Sequence, residues 1–177
     1  MTKKFDFKWR LEVDKEISDG DTFDRWTEEK EVTDYEPDCM FKVDEYGFFV
    51  YWKSADRGGD CLELRTVSDI RKMKLPKDPK LSGKLVEKHG KDVEEKMLGF
   101  CFGPNYVDVH LINFVCKDKD QADRWQSSIR KVTNKSKMSN VCPATNLLCH
   151  WHRLGFQTDV SGKIPVKNLI KTFASGK

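Results

Sequence analysis

The chain has 177 residues, 38% hydrophobic and 34% charged, which is enough apolar side chain to bury a core and enough charge to keep the surface wet. No apolar run approaches the ~20 residues that a membrane span requires, and the opening MTKKFDFKWRLEVDKE lacks the apolar stretch of a signal peptide, so a cytosolic protein is expected. The net charge of +3 hides an asymmetry: residues 1–60 carry ten Lys and Arg against seventeen Asp and Glu, and the remainder carries twenty-two against twelve.

From Arg130 onward the only acid is Asp159, so the C-terminal end is the one to face anionic lipid or an acidic partner, or else forms a solvated basic face. Nucleic-acid binding around His150, Trp151 and Arg153 has charge and aromatic rings but no recognised motif, and is set aside. The six cysteines form no CxxC pair, and four lie in strand-like runs, which reads as free thiols in a reducing compartment. Cys142, Cys149, His150 and His152 cluster in sequence, but their spacing fits no zinc pattern.

After a polar lead-in over residues 1–20, DTFDRWTE alternates as a strand. CMFKVDEYGFFVYWKS reads as a hairpin turning through Asp44 to Gly47, with Phe48, Val50 and Trp52 on one face and Phe49 and Tyr51 on the other, so that both faces need cover. CLELRTV and SDIRKM continue the strands, and the prolines of LPKDPK introduce a helical insertion carrying Leu81, Leu85 and Val86. KMLGFCF, the turn GPN and VDVHLINFVC predict another hairpin, with Val107, Val109, Leu111 and Val115 on one side and Asp108 and His110 on the other. A lone strand histidine with no nucleophile motif is read as structural.

The period then changes. Ala122, Trp125, Ile129 and Val132 fall at helical spacing, with Asp118 or Asp120 as N-cap. About seven short strands closed by one helix with a central tryptophan is the order of a pleckstrin-homology fold, a partly open β-sandwich or barrel whose C-terminal helix plugs one end. Trp125 is the expected plug. The domain is placed at residues 21–134, with a linker over the polar 135–142.

Residues 143–177 read as helix, loop, helix. Pro143 opens a helix with the apolar stripe Leu147, Leu148, Trp151 and Leu154; Pro165 opens a second with Val166, Leu169, Ile170 and Phe173. The twelve residues between them, QTDVSGKIPVKN, have the shape of a calcium loop, with Gly162 sixth and Ile164 eighth. The ligand positions one, three, five and twelve are Gln157, Asp159, Ser161 and Asn168, a single carboxylate with Lys163 and Lys167 beside it. Negligible calcium binding is expected.

The runs FKVDEYGFFVYWKS, PKDPK and GKIPVKNLIKTFASGK, in this order, resemble the N-terminal part of the β class of phosphoinositide-specific phospholipase C; VSDIR and NVCPATNLLCHWHRL are most similar to its phototransduction-related branch. In that family a pleckstrin-homology domain precedes EF-hand-like repeats and a catalytic barrel. The parent enzyme hydrolyses phosphatidylinositol 4,5-bisphosphate under control of Gq, with calcium in the barrel. The resemblance implies that this chain is a regulatory portion without catalytic residues, cofactor or metal. It also implies peripheral attachment at the inner face of the plasma membrane, with the remainder of a phospholipase C chain following. A free-standing pleckstrin-homology adaptor is the alternative.

Pleckstrin-homology domains that grip a lipid headgroup cluster Lys and Arg at the first hairpin, because charge-assisted bonds must replace phosphate hydration. Here Asp24, Glu28, Glu29, Glu31, Asp34, Glu36 and Asp38 face only Arg25 and Lys30. Only weak, non-selective association with anionic membrane is expected, through Lys53, Arg57, Lys74 and Lys77. The resemblance implies instead a platform for G-protein βγ subunits or Rho-type GTPases, on the loops after FVYWKS and INFVC, with Lys53, Ser54, Arg57 and Lys117 as the candidate docking residues.

Overall fold

The structure, a computed structural model, describes residue 9 and residues 11–29, 32–55, 57–105, 107–139, 141–159 and 161–174. Lys30 and Glu31 of the acidic hairpin, and the side chains of Glu29 and Phe173, lie outside the described residues. Seven strands form one antiparallel sheet: β1 Asp21–Glu29, β2 Val32–Val43, β3 Phe49–Lys53, β4 Asp60–Glu63, β5 Val67–Lys72, β6 Met97–Phe102 and β7 His110–Val115. Their order is β4-β3-β2-β1-β7-β6-β5, so β4 and β5 are the two edges and the sheet curls without closing. The helices are α1 Lys15–Asp19, α2 Pro79–His89, α3 Val93–Lys96, α4 Lys119–Met138, α5 Pro143–Phe156 and α6 Val166–Ala174.

β1 and β2 share a bulge that matters later. Phe23 pairs with Cys39 and Arg25 with Glu36, so Asp24 faces the two residues Pro37 and Asp38. Asp38 has φ 53, and the local break in pairing lets a proline sit inside the strand. At the β2–β3 turn Gly47 has φ 66, the left-handed conformation the hairpin needs, and the Asp44 carboxylate accepts from the Tyr46 and Phe49 N–H groups.

The curl closes around an aromatic core. Trp125 of α4 is fully buried and meets Phe23 edge-on at 4.8 Å, while Phe41 stacks on Trp52 and Phe114. The tryptophan plug is therefore present, on a helix capped by Asp118, whose carboxylate accepts from Gln121 N at 2.7 Å. A second cluster lies on the outer face, where α2 and α3 lay Leu81, Leu85 and Val93 over Trp26, Met97 and Val115. This second layer explains why β7 buries Asn113 and Val115 as well as Ile112 and Phe114.

Four expectations need correction. The stretch read as linker, 135–142, is helical over its first half: α4 runs to Met138, with Thr133 and Ser136 of the polar stretch buried. β7 starts only at His110; Val107 and Val109 are exposed in the preceding loop, which the Asn105 side chain folds by accepting from the Val107 and Asp108 N–H groups. CLELRTV is not one strand, since it breaks after Glu63 into a single 3-10 turn, Leu64–Thr66. The lead-in is not all surface: Ile17 is fully buried in the main core, and Asp14 and Glu16 pair with Lys131 and Arg124 of α4.

Candidate functional site

Two acids of the first hairpin, Asp24 and Glu28, are engaged by the insertion. The Asp24 side chain is 2% exposed and accepts from Lys88 Nζ at 2.9 Å, Tyr35 Oη at 2.7 Å and the Asp38 N–H at 3.1 Å, with His89 Nε2 at 2.8 Å. Lys88 and His89 are the last two residues of α2. Burial pushes the Asp24 carboxyl up, but these four partners outweigh it and bring it down to about 2. At the other end of α2, Glu28 accepts from the Lys77 and Asp78 N–H groups, and in mid-helix Lys84 sits 4.2 Å over the Tyr35 ring. The bulge at Pro37 and Asp38 supplies the Asp38 N–H to Asp24, so strand geometry and helix docking are one arrangement.

Farther along the hairpin, Arg25 donates to Glu36 at 3.1 Å and to Asp34 at 2.7 Å. Arg57, from the β3–β4 loop, donates to the same Asp34 oxygen at 2.8 Å, and the Ser54 hydroxyl donates to Glu36. The Arg57 hydrogen bond, followed by the charges of Arg25 and Arg57, holds the Asp34 carboxyl below its usual range against the upward push of burial. Sequence reasoning found these acids, Glu28 among them, but missed Lys88, His89 and Tyr35 as partners of Asp24 and the backbone of Lys77 and Asp78 as the partner of Glu28. The only signal in the sequence was the basic end of the insertion, KLVEKHGK.

Of the candidate docking residues, Lys53, Ser54 and Arg57 come together at the β3–β4 loop. Lys53 is exposed, Arg57 is half exposed and shared with Asp34, and Ser54 is buried against Glu36. Lys117 lies elsewhere, after β7, bonded to Asp21 at the start of β1.

α5 covers the outer face of β3. Phe156 stacks on Tyr51 at 4.2 Å and meets Phe49 edge-on, and Arg153 pairs with Glu63 of β4. The β3–β4 loop closes against the end of this helix: Gly59 N donates to Thr158 O at 2.9 Å, and a side chain on Gly59 would run into the Phe156 carbonyl oxygen. Between the loop and α6 lies a cleft of about 750 Å³ lined by Gly58, Asp60, Arg153, Asp159, Asn168 and Lys171. The candidate docking loop and the loop of calcium-site shape therefore face each other.

Inside the latter, Gly162 has φ 77, the turn conformation its position demands. Asp159 Oδ1 accepts from Ser161 N at 2.9 Å, Ser161 Oγ at 2.6 Å and Lys163 N at 2.9 Å. The Ser161 hydroxyl, then the Lys163 N–H, hold its carboxyl below the usual range. Asn168 points Nδ2 at the Gln157 carbonyl, 3.3 Å away, a donor where a calcium ligand would need an oxygen. Among the described residues no group of three or more His, Cys, Asp or Glu is placed to hold a metal ion. All six cysteines are unbridged, and Cys142 is the exposed one. No helix among the described residues is long and apolar enough to cross a membrane.

Comparison with known proteins fits this architecture. The chain is 46% identical over 183 aligned residues to a 1-phosphatidylinositol 4,5-bisphosphate phosphodiesterase of Drosophila melanogaster, covering 100% of this chain and 17% of that protein. It is 40% identical over 179 residues to the beta-4 enzyme of Rattus norvegicus, covering 15% of it. The chain thus spans under a fifth of the length of these relatives. The crystal structure of PLC21 from S. officinalis superposes with a TM-score of 0.72 at 25% identity, over 94% of this chain and 22% of that one. The PH domain family matches residues 12–140, from α1 to the end of α4. The chain belongs to the PH domain family, and along its length it matches the N-terminal region of β-type phosphoinositide phospholipases C.

Proposed function

We propose that this chain is a regulatory, non-catalytic portion of a phosphoinositide phospholipase C that docks G-protein partners at the inner face of the plasma membrane. The observation that carries the reading is the use of the first-hairpin acids. Asp24, Asp34 and Glu36 are engaged by Lys88, His89, Arg25, Arg57 and Ser54, so among the described residues Arg25, Arg57 and Lys88 are paired with hairpin acids rather than arrayed to grip an inositol phosphate. Lys53 at the end of β3 and the exposed side of Arg57 remain beside a loop bonded to the end of α5 through Gly59, a surface suited to a folded partner such as a G-protein βγ dimer, Gq or a Rho-type GTPase. The helix-loop-helix over α5 and α6 serves as an EF-hand-like brace without metal. Calcium in the parent enzyme belongs to the barrel.

The test is surface plasmon resonance of the chain against immobilised βγ dimer and GTP-loaded Rho-type GTPase. One partner is expected to bind saturably and to lose about tenfold or more in affinity in the Lys53→Glu, Arg57→Glu variant. Absence of binding to all of these proteins, or binding indifferent to that variant, contradicts the docking reading.

A further inference from the structure

We propose that the groove between the edge strand β5 and the C-terminal half of α4 is a docking site for an acidic, extended peptide segment, which adds to the sheet as an eighth strand. Among the described residues β5 pairs only with β6, so within them its other side is an unpaired edge of six residues, Val67–Lys72. Such an edge is a template for another strand unless something fills its backbone groups. Here side chains fill them. Ile70 O accepts from Arg130 at 2.6 Å and Gln126 at 2.8 Å, Val67 O accepts from Lys137, and Ile70 N donates to the Asp69 carboxylate at 2.8 Å. Of the caps, Arg130, Lys137 and Asp69 are exposed side chains and Gln126 is half-buried, and β5 exposes Ser68, Asp69, Arg71 and Lys72 beside them.

The space for a segment is already present. A cleft of about 110 Å³ between Val67–Ile70 and Arg130–Lys137 continues, across the shared Ser68 and Lys137, into one of about 340 Å³ reaching Arg65 and Asn105. Thr133 lines the first cleft; it is 4% exposed, and its hydroxyl has no hydrogen-bond partner. The charge selects the occupant. The two clefts present Arg65, Arg130 and Lys137 against the single acid Asp69. Carboxylates of an incoming segment would draw Arg130 and Lys137 off the β5 carbonyls into charge-assisted bonds; Val67 O, and Ile70 O once Gln126 swings aside, would then accept from the segment's own N–H groups. The exchange conserves hydrogen bonds on β5 and adds ion pairs. It lies on the opposite edge of the sheet from β4 and α5, and is independent of the docking loop proposed above.

The test is fluorescence anisotropy with labelled (Glu-Val)4 and with the same peptide N-methylated at alternate residues. The account expects saturable binding of the first that weakens as salt rises, about tenfold or more weaker binding of the second, and loss of binding in the Arg130→Gln, Lys137→Gln variant. Hydrogen exchange of the unmodified chain gives a readout that needs no variant: the peptide should slow exchange in residues 67–72 and leave β4 unchanged. Equal binding of both peptides overturns the proposal, because simple ionic attraction ignores N-methylation. Failure of (Glu-Val)4 to bind overturns it, as does protection confined to other strands. So does binding of phosphatidylserine vesicles, in place of the peptide, through Arg130 and Lys137.

Discussion

Replacing Asp24 by Asn tests the claim that the hairpin acids exist to hold the insertion helix. The carboxylate is buried among Lys88, His89, Tyr35 and the Asp38 N–H, and its pKa falls from an ordinary 3.8 to about 2. Because the folded value is the depressed one, the ionised group stabilises the fold at every pH above its unfolded value, and that contribution disappears as pH falls from about 4 to about 2. The difference corresponds to about 2 kcal/mol, and an Asn that leaves Lys88 half paired adds little to this because Lys88 is partly in water. Urea unfolding near neutral pH should therefore show a loss of about 2 kcal/mol in Asp24→Asn. The gap between variant and parent should shrink as the pH falls through that window. Hydrogen exchange should accelerate in α2 while the strands around Trp125 stay protected. A variant within about 0.5 kcal/mol of the parent, or one with equal loss at both ends of the pH range, refutes the reasoning.

Three further outcomes are expected. Trp125→Ala removes the ring that Phe23 and Phe114 pack against and should cost about 3–5 kcal/mol in chemical unfolding; a loss below about 1 kcal/mol would show that the core does not depend on this plug. Gly59→Ala sets a methyl group against the Phe156 carbonyl, so limited proteolysis should cut residues 141–174 sooner, at a stability cost of about 1–3 kcal/mol; unchanged cleavage argues that α5 is not held by this loop. Millimolar calcium should give no calorimetric heat and no change in melting temperature, since Asp159 is occupied by its own loop and Asn168 offers a donor; saturable binding at micromolar calcium would reverse that conclusion.

The strands and the plug helix were legible because their signals are local. Alternation in FFVYW, the Asp44–Gly47 turn and the spacing of Trp125, Ile129 and Val132 each report on their own element. What failed was whatever depends on another element. Thr133 and Ser136 look solvent-facing in the sequence but are buried on α4, the helix against which the 3-10 turn Leu64–Thr66 packs, and Val107 and Val109 alternate like a strand until Asn105 folds them into a loop. Along the apolar stripe of α5 only part is covered: Leu154 is buried, whereas Leu147 is 68% and Trp151 72% exposed. The hairpin acids show the same limit most sharply. Composition gave their sign and suggested repulsion of anionic lipid, whereas Lys88 and His89 lie more than sixty residues away in sequence, and only the folded chain shows that they meet Asp24.

The most direct measurement is a calorimetric titration of this chain with soluble inositol trisphosphate, the headgroup that a lipid-gripping domain of this fold would recognise. With the hairpin acids spent on α2 and on Arg25 and Arg57, the account predicts dilution heats only, at any headgroup concentration up to the millimolar range. Saturable micromolar binding, abolished by Arg57→Glu, would contradict it.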